Sequence, residues 1–187
     1  MGRSVAAAAR ALRAGALVVY PTDTVYGVAA LATSRSAIRR LTEAKGRPKR
    51  QPLSVAVSSL EEVEALASLS PEGRRWLRRH LPGPFTVLVA PSRRARATLP
   101  STIAGGRTVG LRVPAHPVAR ELARRAGPIA ATSANRHGDP PALTLAAARR
   151  AFGRDVAIYL SGGPLPRGVP SVLVDLTGSE PRTQHRR

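Results

Sequence analysis

The sequence predicts an α/β fold: a twisted, mixed sheet flanked by helices. Three observations predict it. Short apolar, β-branched runs alternate with amphipathic stretches along the whole chain, the pattern of strands separated by helices. Two successive strand-like runs, 85–90 and 107–113, have no helical pattern between them, which calls for antiparallel neighbours in an otherwise wound sheet. The chain of 187 residues with 43% hydrophobic content is long and apolar enough to bury one core.

In order, residues 4–14 read as a helix, capped by Ser4 and stopped by Gly15. Arg10 and Arg13 interrupt its apolar stretch at helical spacing, which argues against a signal peptide. "ALVVY" (16–20) is a buried strand, and 35–45 a helix with Ile38 and Leu41 inward. "LSVAV" (53–57) is a strand and 59–68 a helix. The next helix opens with Ser70 as cap and Pro71 at its first position, and carries Trp76 and Leu77. After strands 85–90 and 107–113 comes a helix from Pro117 to 126, ended by Gly127. A strand at 128–132, a helix at 144–152 capped by Thr144, and strands at 156–160 and 171–176 complete the series. One domain over 1–180 is expected, with 181–187 a basic, mobile tail.

Composition excludes several functions. With no cysteine there is no disulfide, thiolate metal site or cysteine nucleophile, which suits a reducing, cytoplasmic setting. No run of about 20 apolar residues could span a membrane. The four histidines, at 80, 116, 137 and 185, lack metal-ligand spacing. There is no phosphate-binding P-loop, dinucleotide fingerprint or nucleophile elbow. The net charge of +19 attracts polyanions, but 28 of the 30 basic residues are Arg, spread through nearly every segment. A compositional preference for Arg and a polyanion partner both remain open at this point.

The polar loops carry the candidate chemistry. In open α/β sheets, ligands bind outside the carboxyl ends of strands. "PTDTVYG" (21–27) and "SAN" (133–135) directly follow strands, and "KGRP" (45–48) precedes one. Thr22 with Thr24, Lys45 with Arg47, and Ser133 with Asn135 are spaced i, i+2, so in extended backbone each pair points to one side. Arg112 lies in an apolar strand, where an inward guanidinium needs a partner. Tyr26 could be a packing residue or a ligand platform. Each motif alone reads equally as a turn, a loop start or a solvated basic patch. Together they suit a substrate bearing phosphates, a carboxylate and an amine.

"YPTDTVYGV" (20–28), "KGRPKRQPLSV" (45–55), "LPGPFTVLV" (81–89), "RTVGLRVPAHP" (107–117), "IAATSAN" (129–135) and "VPSVLVDL" (169–176) occur in the order found in the YrdC/TsaC family, threonylcarbamoyl-AMP synthases, and the chain resembles its short, single-domain form. The resemblance implies a YrdC-like fold with a large positively charged cavity. It implies synthesis of L-threonylcarbamoyladenylate from L-threonine, bicarbonate and ATP with release of pyrophosphate, Mg²⁺ being held mainly by the phosphates. A threonylcarbamoyl-transferase complex then acts downstream on tRNA. By resemblance, Lys45, Arg47, Ser133 and Asn135 form the catalytic set and, with Gln51 and Thr108, contact ATP. Thr22, Thr24, Tyr26, Arg112 and Ser171 lie near threonine and bicarbonate. Asp23 is a candidate general base, and Lys49 and Arg50 belong at the cavity mouth. The chain departs from the family at Arg50-Gln51, where an acidic residue and Asn are common. It also lacks Arg-Pro-Gly after the last strand, which makes Arg182 a weak candidate for the nucleotide. Two rivals are an RNA-binding module with weak tRNA or RNA affinity and another carbamoyl-transfer enzyme on the same fold. The 3% aromatic content counts against base stacking.

Overall fold

The computed structural model describes residues 2–48, 53–162, 165 and 168–184. Its elements follow as α1 (Gly2–Arg13), β1 (Val18–Tyr20), β2 (Gly27–Leu31), α2 (Arg35–Lys45), β3 (Ser54–Ala56), α3 (Leu60–Leu66), β4 (Ala67–Ser68), α4 (Pro71–His80) and β5 (Phe85–Pro91). Then come α5 (Arg93–Thr98), α6 (Ser101–Ala104), β6 (Val109–Arg112), α7 (Pro117–Ala126), β7 (Ile129–Ser133), α8 (Leu145–Phe152), β8 (Ile158–Tyr159), β9 (Val172–Asp175) and β10 (Arg182–Gln184). The sheet runs β10-β9-β5-β6-β3-β7-β2-β1-β8, with β4 added to the far end of β5. It is mixed, as expected: β1/β8, β3/β6 and β5/β9 are parallel and the other pairs antiparallel.

Local chemistry sets most boundaries. Ser70 accepts from Gly73 N–H and Thr144 from Ala147 N–H, so both expected caps form. Ser34 caps α2 in the same way, through Ala37 N–H. Gly15 stops α1 at φ +83°, but Ser4 lies inside that helix, which begins at Gly2. Residues 67–68 are not helical; they pair with Ala90 and Pro91.

Four elements went unread in the sequence. Gly27–Leu31 is a strand because β1 and β7 bracket it; its Gly and Ala residues carry little intrinsic strand preference. The connection between β5 and β6, expected to hold no helix, contains α5, capped by Ser92, and the short α6; the two strands are antiparallel neighbours nonetheless. Arg182–Gln184, expected within a mobile tail, pairs with Leu173–Asp175 as an edge strand.

Alternation along the strands divides two layers. Val19, Val28, Val55, Val87, Leu111 and Ala130 face one side and bury against Ile38 and Leu41 of α2 and against Val63, Leu66 and Ala95. On the other side α1 and α7 pack over Val18, Ala29 and Ile129 through Leu12, Ala119 and Leu122. This helical pair covers only part of its face, and the candidate site occupies the rest.

Candidate functional site

A cavity of about 600 Å³ lies on that uncovered face. Its floor is a row of register partners, Ala131, Ser54, Gly110 and Leu88, running across β7, β3, β6 and β5. The first three are small, which leaves room above the sheet. A Cβ on Gly110 would come within 3.2 Å of Ser54 Oγ. The expected crevice at the strand ends is therefore only the rim of the site; the cavity extends over the sheet itself.

Lys45 and Arg47 both line the cavity, though not as an extended pair. Lys45 is the last residue of α2, and Gly46 is the left-handed cap, at φ +66°. Gly46 and Arg47 N–H donate to Glu43 and Thr42 carbonyls, closing the helix end. A Cβ on Gly46 would meet nothing within 4 Å, so it is the positive φ of the turn that calls for glycine there.

Lys45 is only 3% exposed. Its Nζ donates to Ser133 O at 2.7 Å, Asn135 Oδ1 at 2.9 Å and Ser133 Oγ at 3.3 Å. The K-x-R and S-x-N motifs are thus one assembly, joined across 88 and 90 residues of sequence. Burial, then the Arg47 charge, push the Lys45 ammonium down to about 8. Arg47 Nη1 donates to Thr132 Oγ1 at 3.2 Å. The loop after Ser133 is pinned: Asn135 Nδ2 donates to Asp139 O at 2.6 Å, Arg136 Nε to Ala151 O at 2.7 Å, and Arg136 Nη1 to Ala44 O.

Thr22 and Thr24 line the cavity from a hydroxyl-capped turn instead of an extended segment. Thr24 N–H donates to Thr22 Oγ1 at 3.1 Å, and the two hydroxyls pair at 2.9 Å. Pro21 of this loop packs under residue 162, where a Cβ would sit 2.3 Å from Pro21 Cγ. Gly162→Ala is expected to displace the loop and destabilise the fold by about 1–3 kcal/mol, measured by denaturant unfolding.

Arg112 points inward and finds its partner in Asp23, with Nη2 2.6 Å from Oδ1. Both side chains are nearly buried, and Asp23 Oδ2 and Arg112 Nε have no protein partner. Asp23 does not line the cavity, so it supports Arg112 and is not placed to act as a base there. Ser171 lines the far wall, its hydroxyl 2.8 Å from Thr86 Oγ1.

Two expected contacts are not brought in. Tyr26 shares the strand face of Val28 and is buried in the opposite core. Thr108 stands before β6, past the floor row, and is absent from the lining. Gln51, Lys49 and Arg50 lie outside the described residues. Arg182 is exposed on β10 and also outside the lining, whereas Gln184 on the same strand reaches it. Sequence reading missed Tyr20, Ser54, Thr86 and Gln184 in the lining. Alternation in "YPTDT", "LSVAV" and "FTVLV" holds a signal for the first three, once the strand faces are known. Among the described residues the lining bears Lys45, Arg47 and Arg112 and no carboxylate, an arrangement able to gather several anions.

A family model, Sua5_yciO_yrdC, described as "Telomere recombination", matches residues 10–187. A protein of Mycobacterium tuberculosis H37Rv is 44% identical over 181 residues, covering 96% of this chain and 82% of its own length. The threonylcarbamoyl-AMP synthase of Thiobacillus denitrificans is 39% identical over 168 residues, covering 88% of this chain and 87% of its own. The crystal structure of Pyrococcus abyssi Sua5 complexed with L-threonine superposes with a TM-score of 0.88 at 36% identity. That match covers 96% of this chain but 52% of the other, so this chain spans about half the length of that protein.

Proposed function

Because the chain belongs to the Sua5/YciO/YrdC family, we propose that it is an L-threonylcarbamoyladenylate synthase, a nucleotidyltransferase joining L-threonine, bicarbonate and ATP. The observation that carries this reading is the convergence of Lys45 and Arg47, at the end of α2, with Arg112 of the distant strand β6, on one cavity floored by small residues. Threonine carboxylate, bicarbonate and triphosphate repel one another, and three fixed cations offset that repulsion while the site aligns the reacting atoms.

In this reading the neutral threonine amine attacks the bicarbonate carbon, giving the carbamate and water. A carbamate oxygen then attacks the α-phosphorus and pyrophosphate leaves. Transfer of this kind depends on alignment and charge stabilisation more than on protein nucleophiles. Lys45 and Arg47, with Ser133 and Asn135, hold the phosphates and carbamate; Arg112, Thr22, Thr24 and Ser171 hold threonine and bicarbonate. Magnesium would be held mainly by the ATP phosphates, where it would offset their charge. The product is a mixed anhydride, an activated acyl donor. By the family resemblance its consumer is a transferase complex acting on tRNA adenosine.

The test is pyrophosphate release on incubation with ATP, Mg²⁺, bicarbonate and single amino acids. Release should need threonine and bicarbonate together. Salt-sensitive RNA binding with no such release would favour the RNA-module reading and overturn this one. Release with bicarbonate but indifferent to threonine would point to other carbamoyl chemistry.

A further inference from the structure

We propose that the Tyr20 hydroxyl is a substrate-contacting hydrogen-bond donor that binds a carboxylate-type oxyanion beside Arg112, supplied by threonine or by bicarbonate. The proposal rests on the synthase reading above. Tyr20 is the last residue of β1, is 2% exposed, and lines the cavity. Its ring lies against Gly27, its register partner on β2. A Cβ on Gly27 would stand 2.9 Å from Tyr20 Cε1 and 3.3 Å from the hydroxyl oxygen. The glycine thereby admits the ring, and the neighbouring strand fixes its position.

A buried tyrosine ordinarily spends its hydroxyl on a protein partner. Among the described residues Tyr20 has none: no hydrogen bond reaches the hydroxyl, while Thr22, Thr24, Thr86 and Ser171, which line the same cavity, all make one. Nor is the hydroxyl oxygen sealed away like Asp23 Oδ2 and Arg112 Nε. Its free side is the cavity.

The surroundings select the ligand. Arg112 lines the same cavity, and its charge, with that of its partner Asp23, reaches the Tyr20 phenol. Burial pushes the phenol up to about 12, so it keeps its proton at neutral pH and donates. A donor beside a cation fits an oxyanion. Phosphate would be met nearer Lys45 and Arg47, at the other motif.

The test is Tyr20→Phe, which removes only the hydroxyl and keeps the ring on Gly27. Because that hydroxyl bonds no protein group, the melting temperature should not fall. The KM for one substrate should rise about tenfold, the effect of one hydrogen bond to a charged group. Steady-state kinetics varying each substrate in turn separate the sources: a rise for threonine alone assigns its carboxylate, and a rise for bicarbonate alone assigns that ion. A lower melting temperature would make the hydroxyl structural and overturn the proposal, as would equal rises for all three substrates or no change in any. If the wild-type protein releases no pyrophosphate and calorimetry detects no L-threonine binding to it, the synthase reading fails and this proposal with it. If the wild type works and the variant matches it, only the role of Tyr20 fails.

Discussion

Replacing Lys45 by methionine is expected to lower turnover by about 10²–10³-fold, the usual loss when a charge-stabilising donor leaves a water-poor site. The cation is fixed by Ser133 O, Ser133 Oγ and Asn135 Oδ1 and is almost wholly buried, so its field is weakly screened. Methionine keeps the stem but leaves the buried Asn135 Oδ1 short of a donor, at a cost of about 1–3 kcal/mol. Two pH experiments separate catalysis from folding. Lys45 carries its charge below about 8 and loses it as pH rises through that value, so kcat/KM should fall there and the variant should lack that limb. For stability the sign is opposite. The unfolded chain holds this proton up to about 10.5 while the folded one releases it near 8, so between those values unfolding free energy rises with pH. Denaturant unfolding of the methionine variant should show that rise flattened. An unchanged slope and near-native turnover would refute both the catalytic role and the lowered proton affinity assigned to Lys45.

Arg112→Leu is expected to remove threonine use and to unfold the protein easily. The substitution strands the Asp23 carboxylate, and breaking a buried pair by removing one partner costs about 3–5 kcal/mol. The single variant therefore confounds binding with folding. Asp23→Asn together with Arg112→Gln removes both charges and should recover most of the stability in thermal melts. It should not recover L-threonine binding by calorimetry, while ATP binding should survive. Equal losses of threonine and ATP binding in the double variant would refute the assignment of Arg112 to the amino-acid end.

The fold was legible where chemistry is local. Ser70-Pro71, Thr144, Pro117 and Gly127 mark helix ends through their own backbone preferences, and the structure places the ends there. It was illegible where neighbours decide. β2 reads Gly-Val-Ala-Ala-Leu, three of its five residues weak strand formers, and β10 reads Arg-Thr-Gln; both are strands because a partner offers hydrogen bonds. The site divides similarly. The i, i+2 argument placed Ser133 and Asn135 on one lysine, because the chain there leaves a strand. Thr22 with Thr24 and Lys45 with Arg47 also line the cavity, but not for the extended-backbone reason: the threonine hydroxyls close a turn, and a left-handed glycine joins the two cations. Tyr26, open between packing and ligand contact in the sequence, packs in the core, while Tyr20, which the sequence did not single out, meets the cavity; the strand faces that decide this are invisible without the β1–β2 register. The Asp23–Arg112 pair spans 89 residues and leaves no local trace.

The floor of the cavity has a consequence for folding kinetics. Its register row joins residues 131, 54, 110 and 88, so each adjoining pair lies tens of residues apart along the chain. Contacts of that kind form late, because long loops must close before any pairing rewards them. The helices flanking the sheet can form early from their own caps, but the floor has no local precursor in any single hairpin or helix. Ligand affinity is thus a property acquired in the closing stage of folding, and a partly folded chain, however helical, offers substrates nothing to hold.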